Sequence, residues 1–129
     1  FVVDAISTDG GCIPRNVILS QGLSLVKLDV LTLPQFVQKT SLNPARMLRL
    51  KTKGHFSVGA DADITVYDFA TQTPVASFVA GRRVLWKGEV VGKSASVICT
   101  ERGRAAIEAR GMKAVTVDPG EQVERLKAV

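Results

Sequence analysis

Apolar residues along this chain switch from strand-like to helical spacing and then back again. Val2, Val3 and Ile6 form an apolar run broken only by Asp4, which predicts a short buried strand over 1–6. The chain enters that run at Phe1 with no Met ahead of it, so the strand is expected to belong to something larger. Ser7-Thr8-Asp9-Gly10-Gly11 follows, polar and flexible, with the composition of a functional loop at a strand end. From Pro14 the apolar positions Val17, Leu19, Leu23, Leu25 and Val26 recur at helical spacing, with Pro14 suited to a first turn. A second helix is expected from Thr32, a hydroxyl N-cap with Pro34 just behind it, through Phe36 and Val37 toward Ser41. A third, short helix would start at Asn43 as N-cap with Pro44 at N1, turning Leu48 and Leu50 inward. That structural role accounts for Asn43 without a catalytic one.

After Gly54 the pattern turns to β. Gly59-Ala60-Asp61-Ala62-Asp63 reads as a turn, and the alternation in Ile64-Thr65-Val66-Tyr67-Asp68 marks a half-buried strand. Val75 to Ala80 and Arg83 to Trp86 are further strands joined at Gly81, and Glu89-Val90-Val91 follows a Lys87-Gly88 turn. A β-meander is therefore expected over 63–92. Glu101 to Arg110 has the composition of a polar-faced helix ended by Gly111 in a left-handed cap. Lys113 to Val117 reads as a last short strand, and 121–127 as a terminal helix. This order fits an independent α+β domain; it also fits the end of a barrel followed by a separate β-module.

Hydrophobic residues make up 46% of the 129 and charged residues 22%, an ordinary globular composition that argues against disorder. The net charge of +5 raises nucleic acid as a partner. The basic residues do not cluster, however: Arg102, Arg104 and Arg110 interleave with Glu101 and Glu108, and one Trp and one Tyr leave little for base stacking. No nucleic-acid partner is expected. No apolar run approaches the ~20 residues that cross a bilayer, so no membrane partner is expected either. Cys12 and Cys99 match no metal-ligand spacing, and in the absence of a signal peptide the expected setting is a cytoplasmic protein with reduced thiols.

Read from spacing alone, Asp9 is an Asx-type turn residue ahead of Gly10-Gly11. Asp61 and Asp63 look like paired carboxylates, yet alternate positions at a strand start are ordinarily turn and edge groups. The single histidine, His55, sits in a linker, and a metal site needs several His and carboxylate ligands.

A family resemblance changes the reading of Asp9. Ser7-Thr8-Asp9-Gly10, then Thr40-Ser41-Leu42-Asn43-Pro44-Ala45-Arg46, then Gly54 through Gly59-Ala60-Asp61-Ala62-Asp63-Ile64-Thr65-Val66 resembles the closing third of amidohydrolase-superfamily enzymes. These include dihydroorotases, hydantoinases, isoaspartyl dipeptidases, enamidases and N-acyl amino-acid deacylases. Ala80-Gly81-Arg82-Arg83-Val84 and Gly88-Glu89-Val90-Val91-Gly92 continue the likeness, which fades after about Ser94.

The resemblance implies an α+β piece of a larger enzyme. Residues 1–53 would be the last strand and helices of a (β/α)8 barrel of the TIM type. Residues 54–93 would belong to a small composite β-sandwich, and 94–129 would form a C-terminal tail with a helix. Asp9 would lie at the C-terminal end of the eighth strand, where barrel active sites sit, acting as metal ligand and as general base. Gly10 and Gly11 would line the substrate site. Cys12 could line a pocket or simply be packed, and Arg15 could reach a substrate carboxylate or stay solvated. The cofactor implied is a divalent metal, taken as zinc, with its other ligands on earlier strands, so none is expected on this chain by itself.

The activity implied is hydrolysis of C–N bonds in amides, cyclic amides or N-acyl amino acids, with a small-molecule amide as substrate and the chain inactive in isolation. The competing reading is a non-catalytic β-module serving stability or oligomerisation. An unpaired strand edge and uncovered apolar faces would favour a homo-oligomer.

Overall fold

The computed structural model describes residues 3–9, 11, 17–93 and 95–120. Two helical stretches come first. Helix α1 (Ile18–Lys27) buries Leu23, and it ends with Asp29 in the left-handed region, its N–H on the Val26 carbonyl and that of Val30 on Leu25. The expected start at Pro14 lies outside the described residues. Gly22 is where α1 meets its neighbour: a Cβ there would come within 2.2 Å of the Phe36 ring. The approach therefore depends on glycine.

Thr32 caps α2 (Leu33–Val37) as expected. Its hydroxyl accepts from the Gln35 N–H at 3.3 Å while the Gln35 side chain accepts from the Thr32 N–H at 2.9 Å. Phe36 on this helix is only 3% exposed. No break follows. The chain widens into a π-helical stretch (Gln38–Leu42) and continues as α3 (Asn43–Met47).

Asn43 is thus a mid-helix residue and makes no N-cap, contrary to the sequence expectation. The physical cause is Pro44, which has no N–H to donate and whose ring crowds the preceding turn. Widening the turn accommodates it: the Asn43 N–H reaches back to the Gln38 carbonyl, five residues away. Thr40 bends its hydroxyl onto the Phe36 carbonyl at 2.8 Å.

The expected meander is present. β1 (Ile64–Asp68), β2 (Thr73–Val79), β3 (Arg82–Trp86) and β4 (Glu89–Val90) form one antiparallel sheet in that order. Cross-strand pairs put Val66 and Trp86 on either side of Ala76, which is 5% exposed. The Ala80-Gly81 and Lys87-Gly88 connections have both residues at positive φ, the backbone of two-residue hairpin turns whose twist matches the strands.

Beyond the meander lies an element the sequence reading missed. β5 (Ser96–Cys99) pairs in parallel with β6 (Lys113–Thr116), joined through α4 (Glu101–Glu108) as a βαβ unit. Gly111 ends α4 as predicted, with its N–H on Glu108 at 2.8 Å and that of Met112 on Ile107 at 3.3 Å. Gly103 lets α4 close on β5, since a Cβ there would lie 3.3 Å from that of Cys99. The expected helix over 121–127 lies outside the described residues.

The strand expected over 1–6 is not formed in its described part: residues 3–9 are irregular. A strand needs a hydrogen-bonded neighbour along its edge, and this segment instead lies against the π-helical turn. The fold is mixed α and β, with a thin core. Among the described residues the buried apolar side chains are Leu23, Leu31, Phe36, Ala45 and Ala76.

Candidate active site

Asp9 stands on an exposed loop with φ of 45°, a left-handed backbone that aspartate tolerates better than most residues. Its N–H donates to the Ser7 hydroxyl at 3.3 Å, and the Gly11 N–H donates to its backbone carbonyl at 2.7 Å. The Ser7 hydroxyl holds the turn on one side of Asp9 and the bond from Gly11 to the Asp9 carbonyl holds it on the other. Gly11 is exposed, with open space where a Cβ would stand. Gly10, Cys12 and Arg15, the other sequence candidates on this loop, lie outside the described residues.

The segment leading to Asp9 is fastened at three successive points. Lys39 Nζ donates to the Val3 carbonyl, Asn43 Nδ2 donates to the Asp4 carbonyl at 2.7 Å, and the Ile6 N–H donates to the Lys39 carbonyl at 3.1 Å. The sequence reading missed Lys39 altogether and saw only local work for Asn43. Nothing in local spacing could have revealed bonds spanning 36 to 39 residues.

Asp61 and Asp63 prove to be structural. Both carboxylates grip Lys53, whose side chain is only 16% exposed: Asp61 Oδ2 lies 2.9 Å from Nζ and Asp63 Oδ2 is closer still. Asp63 also accepts the Ala80 N–H at 2.7 Å, while Asp61 accepts the Thr52 hydroxyl at 3.3 Å. The Gly-Ala-Asp-Ala-Asp motif therefore ties the linker to the turn between β2 and β3.

The titrations follow from this geometry. The Lys53 hydrogen bond holds the Asp61 carboxyl below its ordinary range against a smaller effect of burial. Burial alone would raise Asp63, but Lys53 and the Ala80 N–H outweigh it and the net shift is down. Burial would likewise lower Lys53, and its two carboxylate partners reverse that, leaving it raised.

His55 spans its own loop. Nδ1 accepts the Ser57 N–H at 3.2 Å, which leaves Nε2 carrying the hydrogen toward the Lys51 carbonyl at 2.8 Å. With both ring nitrogens engaged, it is a loop brace. An apolar concavity of about 690 Å³ lies between the helices and β1, lined by Leu23, Phe36, Val37, Ile64, Tyr67 and Phe69, and does not reach Asp9. Among the described residues no group of three or more His, Cys, Asp or Glu side chains is placed to hold a metal ion. Asp9 by itself does not fit a metal site.

Residues 2–94 match the amidohydrolase family, well over half of the chain, and the chain belongs to that family. Its curated relatives make the likeness more specific. A dihydroorotase of Syntrophus aciditrophicus (strain SB) is 50% identical over 48 residues, covering 37% of this chain and 11% of that protein. A dihydroorotase of Pelotomaculum thermopropionicum is 44% identical over 70 residues, covering 52% of this chain and 16% of that one. A third, from Geobacillus thermodenitrificans, is 46% identical over 50 residues, covering 39% and 11%. The chain is a dihydroorotase-like member of the amidohydrolase superfamily, whose enzymes generally depend on a metal. The matched stretches span 11% to 16% of those relatives' own lengths.

Proposed function

We propose that this chain is the closing part of a hydrolase that opens the C–N bond of a cyclic amide, with Asp9 as its proton-transferring carboxylate. The observation that carries the reading is the dihydroorotase likeness at 44% to 50% identity, combined with an exposed Asp9 held in a left-handed turn. Cyclic amides are favoured over linear amides and N-acyl amino acids because the matched relatives are dihydroorotases.

In the reaction, Asp9 takes a proton from water as its oxygen adds to the amide carbon. The same carboxyl then returns the proton to the ring nitrogen as the C–N bond breaks, so one water is consumed and no proton is lost. A carboxylate suits both halves of that relay. Gly11, with no side chain beside Asp9, leaves room for a substrate. A divalent metal, zinc on this reading, would need ligands beyond those described here.

Surface supports a larger context. Val66, Trp86, Val90 and Val91 on the sheet, and Phe56 and Val58 on the linker, are all exposed. We take 1–53 as the end of a barrel and 54–93 as part of a composite sandwich whose apolar surface further chain covers, with 94–129 an added βαβ tail. That exposed surface also favours the second reading, a β-module for assembly, including pairing with a second copy.

The test is turnover of a five- or six-membered cyclic amide or imide by the full-length protein, before and after Asp9→Asn. Turnover abolished by the substitution supports the assignment; a protein that never opens such rings would end it.

A further inference from the structure

We propose that the Asn43-Pro44 pair and the π-turn it induces form a clasp that sets the position of the Asp9 segment, making Asn43 a positioning residue. The inference rests on the hydrolase reading for its purpose but not for its geometry. In an ordinary α-helix the Lys39 carbonyl would accept the N–H of Asn43, four residues on. Here the Asn43 N–H goes to Gln38. In the widened register the next donor for Lys39 would be residue 44, which is proline and has none.

The Lys39 carbonyl accepts the Ile6 N–H instead, at 3.1 Å. Asn43, turned outward on the same widened turn, adds its Nδ2 bond to the Asp4 carbonyl at 2.7 Å, and Lys39 Nζ adds a third to Val3. Thus one dipeptide both withholds an N–H from Lys39 and supplies a side-chain donor to the segment three to five residues ahead of Asp9. π-turns recur at functional sites for this kind of reason: they expose backbone groups that a regular helix consumes.

Amide exchange measured by NMR on the 129-residue chain tests the clasp directly. Pro44→Ala restores an N–H that competes for the Lys39 carbonyl, and Asn43→Asp keeps the side-chain shape but loses the donor. Each should speed exchange at Ile6 by about tenfold, the worth of one hydrogen bond, while Phe36 and the β1–β2 amides keep their rates. Ile6 exchange unchanged in both variants overturns the clasp.

In the full-length enzyme, Asn43→Asp should lower kcat about tenfold with KM moved less than about twofold, as expected when a proton-transferring group is misplaced. Faster Ile6 exchange with kcat unchanged would overturn the positioning role. A fully active Asp9→Asn enzyme would overturn the hydrolase reading instead, leaving the exchange result to stand by itself.

Discussion

Replacing Lys53 with Met asks how strongly the Gly-Ala-Asp-Ala-Asp motif holds the linker to the sheet. Met keeps most of the stem and removes the ammonium that Asp61 and Asp63 share. An exposed ion pair would contribute at most about 1 kcal/mol. Lys53 is only 16% exposed, however, and it satisfies two carboxylates that would otherwise face each other as like charges. Hydrogen bonds to charged groups contribute about 1.5–3 kcal/mol, so we expect a loss of about 2 kcal/mol, or about 8 °C in Tm for a domain of this size.

The pH dependence is the sharper check. Asp61 and Asp63 are held below the ordinary aspartate value of 3.8, so their contribution is present above that pH and lost as pH falls through their lowered values. Lys53 is raised above its ordinary 10.5, so its contribution is present below that pH and lost as pH climbs past its raised value. The gap in unfolding free energy between wild type and Lys53→Met, measured by urea titration, should be flat between these limits and close outside them. A gap below about 0.5 kcal/mol at pH 7, or one that widens as the solution is acidified, would refute the reasoning.

Three further outcomes are expected. Gly22→Ala should destabilise by about 1 kcal/mol net, the overpacking against Phe36 exceeding the usual helical gain from alanine; thermal denaturation showing a gain would contradict the close approach of α1 and α2. Thr32→Ala should cost about 1 kcal/mol by removing the hydroxyl that caps α2, and Thr32→Ser should restore most of it in the same assay. The exposed apolar sheet and linker residues should drive self-association of the chain, seen as a sedimentation coefficient that rises with concentration; a single monomeric boundary up to high concentration would count against that.

Elements specified by neighbours in sequence were readable from the sequence. Ile64 to Asp68 forms β1 as its β-branched and aromatic run predicts, although its burial does not alternate and the register shifts between Val66 and Tyr67, and Thr32 caps because its partner Gln35 is one turn away. Gly111 ends α4 for a reason confined to its own backbone. What failed depended on partners far along the chain. Asn43-Pro44 has the composition of a helix start, but the helix runs through it by widening one turn, and the Asn43 side chain reaches Asp4. The strand expected at 1–6 was read from apolar content, but strands are made by neighbours, and this segment found a π-turn. β5 was missed because Ser96-Val97-Ile98-Cys99 is too short to stand out without its parallel partner β6.

The candidate site was legible to the same extent. Asp9 could be singled out by its loop and by the company of later motifs, and the structure places it on an exposed left-handed turn. Asp61 and Asp63 were read as turn and edge groups, and they bind Lys53 and the Ala80 backbone. The role of Lys53 was not legible, since nothing in its spacing shows that two carboxylates eight and ten residues on fold back onto it.

The most direct measurement is the kcat of the full-length enzyme on a cyclic amide with Asp9 replaced by Asn, the fold being checked by circular dichroism. If Asp9 carries the proton, kcat falls by at least about a thousandfold with the spectrum unchanged, within the range that positioned acid–base groups contribute. A variant that keeps its spectrum and turns over within about threefold of wild type would show that the proton moves through another group.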